Sequence, residues 1–245
     1  MKNIHLEPLG NGIQIYVSES YHFSTDTILL ADFAKPEGRK KCVELGTGCG
    51  TIPLLWCRHN KVLDITAVEI QKNACELAQK SVDLNGLSGN IKIVNADLKE
   101  LKGILPSGYF DVVVCNPPYK IGGGGITNPD SSKLIARHES ECTLDDICKT
   151  ASELLQFGGR FCICQRPERL ADVMEAMRKF SIEPKVLRLV QQRKNKAPKL
   201  FLLEGRRGGK RGFLNVRDTL FIEDEGGGFS KEMTDIYGSY KEGRI

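Results

Sequence analysis

The sequence predicts an α/β protein built on a doubly wound, mostly parallel sheet of seven strands. From residue 41 onward, short apolar runs alternate with helical patterns, as successive βαβ units require. The run at residues 111–115 is continuous and β-branched, as in a strand buried on both faces. The runs at 185–192 and 199–204 are too close in sequence for a helical crossover, so these last strands are predicted to be antiparallel.

The remaining elements follow from periodicity and from glycine, proline and asparagine punctuation. Strands are predicted at residues 41–45, 63–69, 91–95, 111–115, 160–165, 185–192 and 199–204. Helices are predicted at residues 26–34, from the first glycine-rich turn to about residue 60, and at 72–84, 144–156 and 168–180. Asn85-Gly86 is expected to end one helix and Gly158-Gly159 another, because these residues tolerate left-handed backbone.

Three segments are expected along the chain. Residues 1–40 are predicted to form a β-hairpin, with its second strand at residues 13–17, and a helix that both pack on the core. Residues 41–210 form the main α/β domain, and residues 211–245 form a C-terminal extension with a short strand at 218–222 and a helix near 231–237.

Length and composition fit a protein with a substantial core. The chain has 245 residues, of which 40% are hydrophobic. No run approaches the roughly 20 apolar residues of a membrane span, and the start lacks the apolar block of a signal peptide, so a cytoplasmic protein without membrane contact is expected. The nine cysteines are scattered without a CxxC pair, which predicts buried thiols and no metal site. The sequence leaves the oligomeric state open.

Positive charge is concentrated in one segment. Residues 185–211 contain ten Lys or Arg and one acid, a net charge of +9, so the rest of the chain carries 4 − 9 = −5. A basic segment on a slightly acidic body suggests a polyanionic partner, although a solvated basic edge would have the same composition.

The turn after the first strand predicts a cofactor site. Residues 44–50 read ELGTGCG, and glycines here allow a tight turn and close approach of a ligand to a helix N-terminus. By itself this turn fits a NAD site, an S-adenosylmethionine site or a tight loop. Its spacing is GxGxG rather than the dinucleotide GxGxxG, and Glu44 suits a sulfonium or ammonium better than a pyrophosphate. S-adenosylmethionine is therefore the predicted cofactor.

Two further acids are predicted to hold this cofactor. Glu69 ends the second strand, where a carboxylate can accept hydrogen bonds from ribose hydroxyls. Asp97 follows the third strand, where it can accept from the exocyclic amine of adenine; alternatively it caps a helix. The predicted cofactor-binding residues are Thr25, Asp26, Glu44, Gly46, Thr47, Gly48, Gly50, Glu69, Ile70, Asp97, Leu98 and Asn116.

The fourth strand ends in Asn116-Pro117-Pro118-Tyr119, the predicted catalytic motif. The Asn116 side-chain oxygen and the Pro117 carbonyl can accept both N–H groups of an amine conjugated to a ring, which aims the nitrogen lone pair at a methyl group. Pro118 stiffens the turn and Tyr119 can stack on a flat target. No general base is needed before transfer.

Together, ELGTGCG, Glu69, NAD at residues 95–97 and NPPY resemble the Rossmann-like class I S-adenosylmethionine-dependent methyltransferases, over roughly residues 20–205. NPPY implies methylation of a planar nitrogen and release of S-adenosylhomocysteine. Three segments, at residues 22–33, 135–139 and 165–188, are similar to the bacterial tRNA1(Val) adenine-37 N6-methyltransferases. That resemblance implies a tRNA partner, and it implies that Ser24, Thr25 and Asp26 close over the cofactor, where a plain helix cap is the alternative.

Other substrates and classes remain open at this point. The long connection at residues 120–141 is interpreted as a substrate lid with Arg137 and His138 as RNA contacts. Alternatives are a guanine-N2 methyltransferase of ribosomal RNA, a glutamine-N5 methyltransferase of a release factor, a non-catalytic RNA-binding module and a NAD-dependent oxidoreductase.

Overall fold

The structure of the protein, a computed structural model, describes residues 3–118 and 142–238. The predicted roles of Tyr119, Arg137 and His138 fall on positions outside these residues. The N-terminal hairpin consists of β1 (His5–Gly10) and β2 (Ile13–Val17). The helices are α1 (Thr25–Phe33), α2 (Thr51–Cys57), α3 (Lys72–Leu84), α4 (Leu144–Leu154), α5 (Leu170–Lys179) and α6 (Lys231–Tyr237).

A second, larger sheet organises the molecule. Its strands are β3 (Lys41–Leu45), β4 (Asp64–Glu69), β5 (Ile91–Asn95), β6 (Phe110–Cys115), β7 (Leu155–Gln165), β8 (Ile182–Gln191), β9 (Pro198–Arg207), β10 (Asn215–Val216) and β11 (Leu220–Phe221). The order is β10-β8-β9-β7-β6-β3-β4-β5, with β11 also paired to β8. All seven predicted strands are present, and β9 runs antiparallel to both β7 and β8, as expected. Within the described residues the sheet nevertheless has nine strands rather than seven, because β10 and β11 of the C-terminal residues pair with β8.

Two apolar layers cover the sheet, because neighbouring strand residues point to opposite faces. Cys42 and Val112 belong to the layer that packs under the hairpin, α1, α2 and α3, whereas Val43 and Val113 belong to the layer under α4 and α5. All nine cysteines are free thiols, and eight are buried, as predicted for small apolar side chains. The described residues include no helix long and apolar enough to cross a membrane.

One helix ends differently from the prediction. Gly158-Gly159 was expected to close the helix that begins at Leu144, but α4 ends at Leu154 and β7 runs through both glycines. Gly159 instead allows close packing of β7 on β6, because a Cβ there would lie 3.1 Å from the Phe110 carbonyl oxygen and 2.9 Å from that of Gln156. The glycines therefore lie in the irregular part of the β6–β7 pairing and do not end a helix.

The C-terminal residues pack on the body of the molecule. Strands β10 and β11 lie parallel to β8, and α6 contacts α1. Arg58 holds α6 in place, because its guanidinium donates to the carbonyls of Tyr237 and Ile236 at 3.0 and 3.1 Å and to that of Leu9 at 2.8 Å. The helix predicted near residues 231–237 is thus tied to the N-terminal hairpin.

Candidate active site

The carboxyl ends of β3, β4 and β6 meet at one edge of the sheet, which we call the active edge. In the register, Leu45 is paired with both Val68 and Cys115, so the residues that follow these three positions emerge side by side. These residues are the glycine turn after β3, Glu69 at the end of β4 and Asn116 after β6. Strand order brings together the segments that sequence alone could only place at separate strand ends.

The glycine turn is held open and rigid. The amides of Gly46 and Thr47 both donate to the Val68 carbonyl, at 2.9 and 3.0 Å. Gly46 and Gly48 have φ values of +75° and +55°, and a Cβ at either position would meet open space. The turn therefore uses glycine for its left-handed backbone, and within the described residues its backbone is open to the close approach of a ligand.

Gly50 has a different role, because it starts α2 with φ +87° and lies against α3, where a Cβ would sit 3.2 Å from that of Ala78. We expect Gly50→Ala to lower the free energy of unfolding by about 1–3 kcal/mol, since it adds backbone strain and crowding. Chemical denaturation measures this, with Gly89→Ala as the matched control, because Gly89 has open space around it and no left-handed φ. Equal stability of the two variants would contradict the role given to Gly50.

Glu44 is a buried carboxyl group beside the turn. It is 2% exposed, and the Thr47 hydroxyl donates to it at 2.5 Å. Burial raises the pKa of Glu44 to about 8; the Thr47 hydrogen bond acts against this shift, and the nearby Glu69 carboxylate adds to it. A cation bound next to Glu44 would favour its ionised form, which is the electrostatic situation that a sulfonium or ammonium group creates.

Glu69 is held by the backbone around it. Its two carboxylate oxygens accept from the amides of Gly48 and Gln71, each at 2.9 Å. Because Gly48 belongs to the glycine turn, the acid on β4 and the turn after β3 form one hydrogen-bonded unit. Ile70, the next residue, is 43% exposed, so an apolar side chain is available beside this acid for a flat ring.

Asp97 lies beyond β5 and caps a short 3-10 turn. Its side chain accepts from the Lys99 amide at 2.9 Å and pairs with the Lys99 ammonium at 3.6 Å. The structure thus shows the capping contact that was the alternative interpretation of this residue. The Leu98 carbonyl accepts from Thr150 at 3.0 Å, which ties this turn to α4.

Asn116 is oriented by a residue on the N-terminal helix. Its Nδ2 donates to the Thr27 hydroxyl at 3.1 Å, across 89 positions of sequence. When the amide nitrogen donates to Thr27, the amide oxygen is the atom that can accept a hydrogen bond from a substrate. An amine substrate requires such an acceptor for its N–H groups. Pro117, which follows, is buried, and Pro118 is exposed.

Thr27 is consequently a positioning residue. We expect Thr27→Val to lower kcat about tenfold while leaving the substrate KM and the cofactor Kd nearly unchanged, because it removes one hydrogen bond that fixes the Asn116 amide. Thr27→Ser should restore most of the rate. A loss of cofactor affinity as large as the loss of kcat, or no rescue by serine, would show that Thr27 has a general structural role.

The first turn of α1 is only partly explained by capping. Ser24 is the N-cap, but its side chain makes no capping hydrogen bond. The Thr25 hydroxyl lies 3.0 Å from the Tyr237 hydroxyl, so the predicted cofactor residue contacts the last described helix. Burial raises the pKa of Tyr237; the hydrogen bond with Thr25 opposes this shift, and the Asp26 carboxylate adds to it.

Sequence reasoning missed the residues that support this site. Thr27, Tyr237 and Tyr21 act through partners distant in sequence, and the Tyr21 hydroxyl donates to Gln71 at 3.0 Å. The Gln71 amide donates to Glu69, two residues away. For Thr27, the sequence offered one indication of a role in the site, namely that it directly follows the predicted cofactor residues Thr25 and Asp26.

The residues at the active edge fit S-adenosylmethionine. The open glycine turn allows a ligand to approach the backbone closely. The buried Glu44 carboxyl, with its raised pKa, suits a positive charge, and the exposed Ile70 beside Glu69 suits an adenine ring. Among residues 3–118 and 142–238, no group of His, Cys, Asp and Glu could hold a metal ion. Fold and site together define a methyltransferase of the class I type.

Comparison with known families identifies the chain more closely. A profile described as "Methyltransferase small domain" matches residues 23–181, and the chain belongs to this family. Membership of this family confirms the predicted methyltransferase class.

Among curated proteins, two similar relatives carry the name tRNA1(Val) (adenine(37)-N6)-methyltransferase. One, from Flavobacteriaceae bacterium (strain 3519-10), is 29% identical over 145 residues, which is 59% of this chain and 59% of the relative. Another, from Porphyromonas gingivalis, is 29% identical over 188 residues, which is 74% of this chain and 73% of the relative.

A solved structure shares the fold. It is described as a predicted O-methyltransferase from Agrobacterium tumefaciens and superposes with a TM-score of 0.72 at 21% identity, covering 87% of this chain and 95% of that one. The predicted α/β fold class is therefore confirmed.

Proposed function

We propose that the protein transfers a methyl group from S-adenosylmethionine to the exocyclic N6 of an adenine in tRNA, at position 37 next to the anticodon. The observation that carries the proposal is the Asn116 amide, which follows β6 beside the glycine turn and whose nitrogen donates a hydrogen bond to Thr27. The names of the relatives support the choice of adenine N6 and of tRNA. Work on tRNA fits the expected cytoplasmic location.

The cofactor, when bound, supplies an electrophilic methyl group on a sulfonium sulfur. The Gly46–Gly48 backbone and Ile70 are the surfaces against which it would lie, and Glu44 and Glu69 are the carboxylates that would face its positive and hydroxyl groups. Thr25, Asp26, Asp97 and Leu98 complete the proposed binding set. Each residue either binds or orients; none has to take a proton from the adenine amine before transfer.

The adenine amine is a poor nucleophile, because its lone pair is delocalised into the ring. Hydrogen bonds from both N–H groups, one to the Asn116 side-chain oxygen and one to the Pro117 carbonyl, favour a pyramidal nitrogen whose lone pair points at the methyl group. Pro118 limits the turn to one shape, and Tyr119 is proposed to stack on the adenine. The proton leaves the nitrogen after the new N–C bond has formed.

The test is methyl transfer from labelled S-adenosylmethionine to total tRNA from a strain that lacks the gene, followed by nucleoside analysis. N6-methyladenosine in tRNA supports the proposal, and a tRNA1(Val) transcript with guanine at position 37 should then accept no label. Label in N2-methylguanosine would show that the methylated base is guanine and not adenine. Absence of label in tRNA, with label in ribosomal RNA or a release factor, would overturn the choice of substrate.

A further inference from the structure

The basic segment at residues 185–211 is divided by strand register between two ends of the molecule. Gln165, at the end of β7, pairs with Phe201 near the start of β9, whereas Arg160 pairs with Arg206 near its end. The β8–β9 connection at residues 192–197 therefore lies at the active edge. The residues after Arg206 lie at the opposite edge of the sheet, and the ten residues of β9 separate the two by roughly 30 Å.

Charge at the active edge is partly neutralised within the protein. Arg193 pairs with Glu223, and the Lys194 ammonium lies 3.8 Å from Glu225. Both acids belong to the C-terminal residues that pack beside β8. The β8–β9 connection is accordingly a weaker source of unbalanced positive charge than its composition suggests.

Residues 206–213, the last two residues of β9 and the turn that follows them, have fewer ion pairs; we call this segment the distal loop. Arg206 pairs with Glu204 at 3.2 Å, but Arg207, Lys210 and Arg211 form no ion pair with any residue in the described part of the chain. Arg207 donates instead to the neutral Leu155 carbonyl. Three cations on one short loop create a local positive potential suited to a polyanion.

Hydrogen bonds hold the backbone of the distal loop in place. The Gly208 amide donates to the Ser181 carbonyl at 2.8 Å, and the Gly212 amide donates to the buried Glu183 carboxylate at 3.0 Å. The Lys185 ammonium donates to the Gly212 carbonyl at 2.6 Å. These contacts fix the backbone on both sides of the loop's cations.

Two aromatic rings, on the distal loop and next to it, are exposed to solvent. Phe213 is 91% exposed and has φ +57°, a left-handed conformation that is an outlier for a bulky residue. Phe157 is 81% exposed, and its ring lies against Gly208, where any side chain would collide with it. Exposed rings among uncompensated cations are the combination that binds unpaired nucleotides, since bases stack on the rings while cations hold the phosphates.

Next to the loop there is a cleft of about 530 Å³ that Phe157 and Arg206 also line. Of the five cationic side chains in its walls, Lys40 pairs with Asp111, and Arg160 and Arg206 pair with Glu204, so the cleft adds shape rather than unbalanced charge. The loop thus borders a concave region that lies away from the active edge.

Building on the proposed tRNA methylation, we propose that the distal loop and Phe157 bind an unpaired segment of the same RNA, remote from the adenine that is methylated. The enzyme then holds its substrate at two points, one at each edge of the sheet. Full-length tRNA should bind more tightly than an isolated anticodon stem-loop for this reason.

The test compares tRNA1(Val) transcript with its anticodon stem-loop by fluorescence anisotropy over a range of salt concentrations. For Lys210→Ala/Arg211→Ala, the slope of log affinity against log salt for full-length tRNA should fall by about two. For Phe213→Ala, the affinity advantage of full-length tRNA over the stem-loop should fall about tenfold, and Phe213→Trp should restore it. Lys80→Ala/Lys102→Ala, which removes two exposed lysines elsewhere, is the matched control.

The outcomes separate this inference from the proposed function. If wild-type enzyme methylates tRNA but the loop variants keep both the salt slope and the full-length advantage, the second binding point is wrong. Equal losses for full-length tRNA and stem-loop would also overturn it. Unchanged tRNA affinity with lost binding to anionic lipid vesicles would assign the loop to a membrane surface. Failure of the proposed function would appear separately, as wild-type enzyme that leaves tRNA unmethylated.

Discussion

Asn116→Ala is expected to lower kcat for tRNA methylation by about a hundredfold to a thousandfold, comparable to the loss of one hydrogen bond that orients a reacting group. The side-chain oxygen proposed to accept from the adenine amine is removed, and so is the contact with the Thr27 hydroxyl. Single-turnover methylation of tRNA with labelled cofactor measures the effect. The Kd values for cofactor and RNA should change little, because the lost hydrogen bond forms on the reacting nitrogen.

Asn60→Ala is the matched control for this result. Asn60 is also an asparagine with a side-chain hydrogen bond, donating to the Gly38 carbonyl at 2.8 Å, but it lies before β4 rather than after a strand at the active edge. It should retain the wild-type rate. Near-normal transfer by Asn116→Ala would exclude the proposed role of the amide, whereas a similar loss in both variants would indicate a general effect of asparagine removal on folding.

Glu44→Gln is expected to weaken S-adenosylmethionine binding by about tenfold to a hundredfold, because a charge-assisted interaction is lost. In the wild type, affinity should rise with pH and level off above about 8. Burial places the pKa of Glu44 near 8, so at lower pH the carboxyl must give up its proton when a cation binds beside it. The variant has no such group and should show a flatter dependence on pH.

Stability without the cofactor provides an independent check on Glu44. Its pKa is raised on folding from 4.5 to about 8, so the folded state binds more protons than the unfolded state between these values. The stabilisation is fully present below pH 4.5 and is lost as the pH rises through 8. Glu44→Gln should therefore melt at a higher temperature than the wild type above pH 8.

Isothermal titration calorimetry in buffers of different ionisation enthalpy measures the proton released on binding. The wild type should release more protons than Glu44→Gln near pH 7, and Thr47 can still donate to the glutamine oxygen, so the turn is expected to stay intact. Identical proton release in both proteins would refute the assignment of this group.

Much of the fold was predictable, because most strands can be recognised from a short stretch of sequence. The β-branched run before Asn116 and the glycine turn after Leu45 fix two strand ends without reference to anything distant. The antiparallel pairing of β8 and β9 follows from the shortness of their connection. The end of α4 was not predictable in this way, since the use of Gly159 depends on how closely β6 approaches.

The sequence by itself determined the chemistry of the site: a glycine turn, acids at strand ends and an Asn-Pro-Pro motif, each recognisable within a few residues. Tertiary structure alone decided what orients them and where charge is exposed. Thr27 reaches Asn116, and Tyr237 reaches Thr25, only because helices distant in sequence pack over the active edge. One continuous basic segment becomes two surfaces because an antiparallel strand carries the chain from one edge of the sheet to the other.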